Sequence, residues 1–226
     1  MFTRYAIYYT PDIGTPLAEF GANWLGWDSA SGQSRRHGQI ESLDIDAITK
    51  TPRKYGFHGT IKPPFRLADG ADPDTLTKAL ATICNETPPV TLDGLVLARL
   101  GRFLALVPVG DAAELATVAS TVVQRLDSFR APADEAELAK RRASRLSPAQ
   151  DANLVTWGYP YVLDQFRFHM TLTGPLQKDV RAGAYSALQS VVSELELSPY
   201  RMTGLTLLGE DCAGMFHQLE RFPLLG

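Results

Sequence analysis

Residues 57–65 read FHGTIKPPF, and residues 168–176 read FHMTLTGPL. Both segments fit the pattern Phe-His-x-Thr-(Ile/Leu)-x-x-Pro-(Phe/Leu). The chain has only four histidines, and two of them, His58 and His169, occupy the second position of this pattern. The repetition predicts an active site that uses two histidines and is assembled from two related halves of the chain.

The similarity between the halves extends beyond the histidine segments. Residues 89–97 read PVTLDGLVL, residues 199–207 read PYRMTGLTL, and each block follows its histidine at nearly the same distance. Before each block, apolar residues at helical spacing predict a helix, over residues 74–86 and 180–197. The order strand, helix, strand therefore recurs, which indicates an internal duplication.

The remaining segments complete a mixed fold. Strand patterns occur at residues 5–10, 55–61, 90–97, 102–107, 165–173, 201–208 and 215–223, and helical patterns at residues 16–25, 112–126 and 133–146. They predict an α+β protein of two antiparallel sheets with outer helices and a cleft between two lobes related by a pseudo-twofold axis. We expect one bilobal domain over residues 1–226, with approximate halves 1–130 and 131–226, and we leave open whether strands are exchanged between the lobes.

The composition restricts the class of partner. The chain has 226 residues, of which 45% are hydrophobic and 21% charged, and its net charge is −3 without a long basic run. Nucleic-acid binding needs a cationic face, so a general nucleic-acid partner is not expected, whereas a small anionic ligand remains open. No apolar run is long enough to span a membrane, and we expect no membrane partner.

Metal and cofactor motifs are missing from the sequence. The histidines form neither a His-x-His nor a His-Glu-x-x-His pattern, and there is no P-loop or dinucleotide fingerprint. We therefore predict no metal site and no cofactor. Cys84 and Cys212 are widely spaced and predict free thiols in a reducing compartment. Together with the lack of a signal-peptide pattern, they predict a cytoplasmic protein.

Strand geometry predicts which side chains meet in the cleft. Alternate residues of a strand share a face. This places together His58, Thr60 and Lys62 on the first strand, and Arg167, His169, Thr171 and Thr173 on the second. Such a site suits a phosphodiester, because one imidazole can take a proton from the attacking oxygen while the other protonates the leaving oxygen. Thr60, Thr171, Thr173 and the Lys62 ammonium are candidate ligands of the phosphate oxygens.

The paired His-x-Thr motifs resemble those of the two-histidine phosphoesterase superfamily, which includes the RNA 2′,3′-cyclic phosphodiesterases. Residues 53–67, RKYGFHGTIKPPFRL, and residues 4–9, RYAIYY, are similar to a bacterial branch associated with phosphonate-utilisation operons. The resemblance covers nearly the whole chain. It implies a bilobal fold and a metal-independent site between the lobes, with His58, Thr60, His169 and Thr171 at its core.

Three functions are compatible with these observations. The first is a phosphoesterase that opens a small cyclic phosphodiester, such as a phosphoribosyl cyclic phosphate of phosphonate metabolism. The second is the same chemistry on RNA ends that carry a 2′,3′-cyclic phosphate. The third is a module that binds a phosphorylated ligand without turnover. The sequence leaves open the substrate, the acid and base roles of the two histidines, the hydroxyl that is released, and the oligomeric state.

Overall fold

The computed structural model describes residues 2–38, 40 and 43–226. The strands are β1 (Arg4–Tyr9), β2 (Trp27–Asp28), β3 (Gln33–Ser34), β4 (Gly59–Phe65), β5 (Val90–Leu92), β6 (Gly94–Leu100), β7 (Phe103–Val109), β8 (Met170–Thr171), β9 (Tyr200–Met202), β10 (Gly204–Glu210) and β11 (Phe216–Pro223). The helices are α1 (Pro16–Leu25), α2 (Ile45–Arg53), α3 (Pro73–Asn85), α4 (Ala113–Arg125), α5 (Glu135–Arg142), α6 (Pro148–Trp157) and α7 (Lys178–Val192). In the part of the chain that the structure describes, no helix is both long and apolar enough to cross a membrane.

Seven strands form one sheet in the order β11-β10-β1-β4-β8-β7-β6, and all neighbours are antiparallel. The predicted α+β class, the antiparallel strands and the outer helices are confirmed. The two predicted sheets are the two parts of this one sheet, with four strands up to β4 and three strands from β8. The parts meet at one residue pair, Gly59 with Met170.

Strands are exchanged between the two halves of the chain. The hairpin β10–β11, from the second half, lies in the part of the sheet that holds the first histidine segment. The hairpin β6–β7, from the first half, lies beside β8. The helices follow the same exchange, because α3 contacts β10 and β11 while α7 contacts β6 and β7. Each half therefore completes the layer that the other half begins.

The contacts between the halves reveal the symmetry of the duplication. Gly59 and Met170 hold equivalent positions in the two histidine segments, and they pair with each other. In the second contact, β5 pairs with β9, and the central pair is Thr91 with Arg201, which are again equivalent in the repeat. When equivalent residues pair antiparallel, a pseudo-twofold axis passes between them. Both contacts thus lie on the predicted axis.

The first histidine strand is displaced along the chain relative to the prediction, and the second is shorter. The first begins at Gly59 rather than at residue 55, because Gly56 has φ +71° and forms a turn. The second contains only Met170 and Thr171. Its ladder stops because the amides of Leu172 and Thr173 both donate to the same carbonyl oxygen, that of Leu104.

Two helices were not predicted from the sequence. α2 begins at the N-cap Asp44, whose carboxylate accepts from the amide of Ala47, and it contains Pro52 in its last turn. α6 lies in the connection between the halves, and Ser147 and Gln150 form a capping box at its start. Capping residues mark a helix start even where apolar periodicity is weak.

The phenylalanines of the repeated pattern anchor the histidine segments in the core. Phe57 and Phe168 alternate with the histidines and are buried on the opposite face of the sheet. Phe168 lies against Gly59 so closely that a Cβ at position 59 would stand 2.2 Å from its ring. The pairing of the two parts of the sheet therefore requires glycine at position 59.

We predict that Gly59→Ala lowers the free energy of unfolding by about 1–3 kcal/mol, because overpacking forces Phe168 or the strands to move. Urea unfolding followed by circular dichroism measures the change. The matched control is Gly183→Ala in α7, where an added Cβ meets no atom within 4 Å. This control should be stabilising by about 0.5–1 kcal/mol. Equal stabilities of the two variants would contradict the close approach at Gly59.

Candidate active site

The Gly59–Met170 pair determines how the two histidines are placed. The pair is antiparallel, so the residues on either side of it also lie opposite each other: His58 opposite Thr171, and Thr60 opposite His169. Side chains alternate across a strand, so these four side chains share the face opposite to Phe57 and Phe168. Each histidine is therefore next to the threonine of the other half. The pseudo-twofold axis passes through the middle of the group.

A cavity of about 230 Å³ opens beside this group of side chains, and Thr60 and His169 are not among the residues that line it. His58 and Thr171 line it together, although they come from different halves of the chain. Tyr55 and Phe103 provide aromatic walls, and Thr173 lies at its edge near the end of the second histidine segment. The structure thus brings residues of both motifs to a common space that is open to a small ligand.

The hydrogen bonds of His58 fix its tautomer. Its Nδ1 lies 2.9 Å from the carbonyl oxygen of Gly56. A carbonyl oxygen only accepts, so Nδ1 carries the hydrogen and Nε2 of the neutral ring has a free lone pair. The hydroxyl of Thr60 lies 3.1 Å from that Nε2 and donates to it. The turn at Gly56 therefore directs the basic nitrogen of His58 toward Thr60.

His169 repeats this arrangement in the second half. Its Nδ1 donates to the carbonyl oxygen of Arg167 at 2.8 Å, again two residues before the histidine. Among the described residues, its Nε2 and the hydroxyl of Thr171 form no hydrogen bond within the protein. Both imidazoles are thus held at Nδ1 by the backbone, while the Nε2 of His169 and the Thr171 hydroxyl can meet a ligand.

The surroundings of the two imidazoles differ. His58 is stacked on Tyr8, with ring centroids 3.7 Å apart and planes at 19°, and its ring is 6.0 Å from that of Tyr55. Burial under these rings is the main cause that lowers the pKa of His58 to about 4. The hydrogen bond to Gly56 raises this pKa, and the nearby charge of His169 lowers it. His169 has a single aromatic neighbour, Phe103, at 5.8 Å. His58 is therefore neutral at pH 7.

The structure does not bring Lys62 to this group. Tyr8 pairs with Thr60, but Ile7 pairs with Lys62, so β4 has one extra residue at this point and forms a bulge. The bulge turns Lys62 to the core face, where its ammonium is 2% exposed and donates to the carbonyl oxygen of Val123 at 3.1 Å. Burial lowers the pKa of Lys62 to about 8, although Asp127 at 3.5 Å raises it.

Thr173 and Arg167 also have other contacts. The Thr173 hydroxyl accepts from the amide of Leu104 at 3.0 Å and donates to the carbonyl oxygen of Gly174 at 2.9 Å. It therefore fixes the end of the second histidine segment. Arg167 is exposed and donates to the backbone carbonyl oxygens of Asp164 and Phe166. We leave Lys62, Thr173 and Arg167 out of the phosphate site.

The aromatic walls could not be assigned from the motifs alone. The pairing of Tyr8 with Thr60 shows that Tyr8 shares a face with His58. Tyr55 lies in the turn before Gly56, and Phe103 begins β7. Within the described ranges, no group of three or more His, Cys, Asp and Glu residues could hold a metal ion.

Comparison with known proteins gives a family match. The family model described as "Protein of unknown function (DUF1045)" matches residues 60–217. The chain is 35% identical over 235 residues to the protein named ribose 1,5-bisphosphate phosphokinase PhnN of Janthinobacterium sp. (strain Marseille), covering 99% of this chain and 51% of the relative. The protein of the same name from Laribacter hongkongensis (strain HLHK9) is 32% identical, with 98% and 52% covered. The chain thus spans about half the length of the curated relatives it matches.

Similarity to solved structures extends over the whole chain at low identity. Escherichia coli LigT complexed with 3'-AMP aligns with a TM-score of 0.45 and 15% identity, covering 100% of both chains. A crystal structure described as a phosphoesterase aligns with a TM-score of 0.44 and 14% identity, covering 99% of both chains.

We predict that the imidazole of His58 titrates near pH 4 and that its neutral form carries hydrogen on Nδ1. The folded pKa lies below the ordinary value of 6.5. The unfolded chain therefore binds more protons between these values, and stability decreases as the pH falls from about 6.5 to about 4. Nitrogen-15 NMR of the histidine rings measures the tautomer and titration directly, and His58→Gln identifies the signal.

Urea unfolding at pH 5 and pH 7 gives an independent check. The loss of stability between the two pH values should be smaller in His58→Gln than in the wild type. A His58 titration near pH 6.5, or hydrogen on Nε2 of its neutral ring, would show that the burial and the Gly56 bond do not act as described.

Proposed function

The chain belongs to the DUF1045 family, and we propose that it is a metal-independent phosphoesterase that opens a small cyclic phosphodiester. The observation that carries the proposal is the placement of His58, Thr171, Thr60 and His169 around the Gly59–Met170 pair, with both imidazoles held at Nδ1. We propose that one ligand contacts the Nε2 atoms of both imidazoles. Hydrolysis of a phosphodiester needs two proton transfers at opposite sides of phosphorus, and this arrangement supplies both groups.

In the proposed reaction, His58 is the general base and His169 the general acid. Nε2 of His58 takes a proton from water, and the water oxygen attacks phosphorus. The bond from phosphorus to one ring oxygen breaks, and that oxygen takes the proton from Nε2 of a protonated His169. One P–O bond forms and one breaks, and the product is a phosphate monoester with a free hydroxyl. Proton exchange with solvent restores both histidines.

The neutral state of His58 supports the base role. A base needs its lone pair at the pH of the reaction, and burial keeps this imidazole neutral. A pKa near 4 alone would make a weak base, but the anionic phosphodiester raises the pKa of His58 when it binds, because an opposite charge favours the protonated form. The Thr60 hydroxyl, released from His58 by the ligand, and that of Thr171 donate to the non-bridging oxygens.

The size and charge of the molecule favour a small substrate. The cavity is about 230 Å³, and the net charge of −3 does not suit a long nucleic acid. The relatives that match this chain are named for ribose 1,5-bisphosphate. We therefore propose a cyclic phosphate of a phosphorylated ribose in phosphonate metabolism as substrate, in the cytoplasm. An RNA end with a 2′,3′-cyclic phosphate is the alternative.

We expect the purified protein, with EDTA present, to convert 5-phosphoribosyl 1,2-cyclic phosphate to a monoester. Phosphorus-31 NMR measures the conversion. His58→Ala and His169→Ala should each reduce turnover about 10²–10⁴-fold, because each removes one proton transfer. Substrate affinity should change less than turnover. A parallel reaction with adenosine 2′,3′-cyclic phosphate tests the RNA-like alternative.

His217→Ala is the matched control for these variants. His217 lies in β11, its Nε2 bonds to Asp211 at 2.8 Å, and it does not line the cavity of His58 and Thr171. This variant should keep wild-type turnover. If the wild type binds both cyclic phosphates and converts neither, the protein is a binding module rather than this enzyme. Conversion that survives in both active-site variants would likewise contradict the mechanism.

A further inference from the structure

A second cavity, of about 450 Å³, shares the lining residue Tyr55 with the cavity of His58 and Thr171. Glu137 is the only carboxylate among the described residues that line the second cavity, and it faces six cationic side chains. These are Arg4, Lys54, Arg66, Arg130, Lys140 and Arg141. A cationic cavity of this kind contrasts with the net charge of −3 of the whole chain.

Half of these cations are neutralised by carboxylates. Arg4 pairs with Glu210, Arg66 with Glu137, and Arg130 with Asp127. Lys54, Lys140 and Arg141 have no carboxylate within 4.0 Å among the described residues. The Lys54 ammonium lies over the ring of Tyr55 and the Arg141 guanidinium over that of Tyr159, each at 4.7 Å from the ring centroid. Three positive charges are therefore available to an anion.

Helix α5 is held in a position where it presents cations to this cavity. The helix has no buried residue, so burial of apolar surface contributes little to its position. Polar contacts hold it instead. Arg66, directly after β4, donates to both carboxylate oxygens of Glu137 at 2.8 and 3.0 Å, and Arg142 donates to Asp151 at 2.6 and 3.1 Å. These pairs keep Lys140 and Arg141 at the wall of the cavity.

We propose that this cavity binds a terminal phosphate monoester of the substrate while the cyclic phosphodiester lies between His58 and His169. The proposal rests on the proposed function and assigns a binding site to the second phosphate group of its substrate. A monoester carries a charge of about −1.5 to −2 near pH 7, whereas each diester in an RNA backbone carries about −1. Three unpaired cations in one cavity fit the more highly charged monoester.

The kinetic test compares two substrates that differ only in this phosphate. We expect kcat/KM to be higher for 5-phosphoribosyl 1,2-cyclic phosphate than for ribose 1,2-cyclic phosphate. Arg141→Gln and Lys54→Gln should each reduce the quotient of the two kcat/KM values about tenfold, since each removes a charge-assisted contact to phosphate. Lys78→Gln is the matched control, because it removes one charge from an exposed position of α3 that lines neither cavity, and it should leave the ratio unchanged.

A binding test separates this proposal from the proposed function. Ribose 5-phosphate, which has the monoester but no cyclic phosphate, is titrated into the His58→Ala/His169→Ala double variant and followed by NMR. We expect amide shifts at Lys54, Tyr55 and Arg141, and weaker binding when Arg141→Gln is added. This result supports the phosphate site even if the wild type converts no cyclic phosphate, in which case the proposed function alone fails.

Two outcomes would overturn the phosphate site. In the first, the two cyclic phosphates have equal kcat/KM values, both in the wild type and in each variant. This outcome leaves the proposed function intact. The second is a preference for a dinucleotide with a 2′,3′-cyclic phosphate that Arg141→Gln and Lys54→Gln remove. In that case, the cavity binds the diester backbone of an RNA end instead.

Discussion

The pairing of Gly59 with Met170 is the contact on which the site depends. It is the only residue pair between β4 and β8, and it joins the two parts of the seven-stranded sheet. Because it lies on the pseudo-twofold axis, the residues on either side are placed symmetrically. Because side chains alternate, both His-x-Thr pairs lie on one face of the sheet, where His58 and Thr171 line the cavity, while Phe57 and Phe168 enter the core. A side chain at position 59 would collide with the ring of Phe168, which fills the space there.

The symmetric backbone supports two chemically different histidines. The same bond from Nδ1 to a carbonyl oxygen two residues earlier holds both rings, so the difference comes from their neighbours. Tyr8 of β1 is stacked on His58, whereas β7, which lies beside β8 as β1 lies beside β4, brings the ring of Phe103 to 5.8 Å from His169 without stacking on it. Environments that separate the behaviour of two titratable groups allow one to serve as base and the other as acid. The N-terminal strand thus breaks the symmetry that the duplication creates.

The sequence could predict what the repeat encodes and little of what the other strands impose. The α+β class, the order of elements in each half and the paired motifs follow from the repeated residues. The placement of Lys62 could not be predicted. The sequence pattern assumes that side chains alternate regularly, whereas β4 contains a bulge opposite Ile7 and Tyr8. The Thr173 hydroxyl is occupied by the amide of Leu104 on β7, a contact 69 residues apart along the chain. Such long-range partners leave no local pattern.

The cationic cavity was hidden from the sequence for a related reason. Net charge averages over the whole surface, and in α5 acidic residues of the first turn and basic residues of the last turn suit the helix dipole. That pattern alone is typical of a solvated helix. The distinction appears only in the partners: Glu137 is paired by Arg66, whereas Arg141 meets an aromatic ring and no carboxylate in the described part of the chain. The cationic residues of this cavity lie outside the repeated blocks or, like Arg66, directly after one of them. The duplicated core can therefore keep one chemistry while the segments around it determine which phosphate ester reaches it.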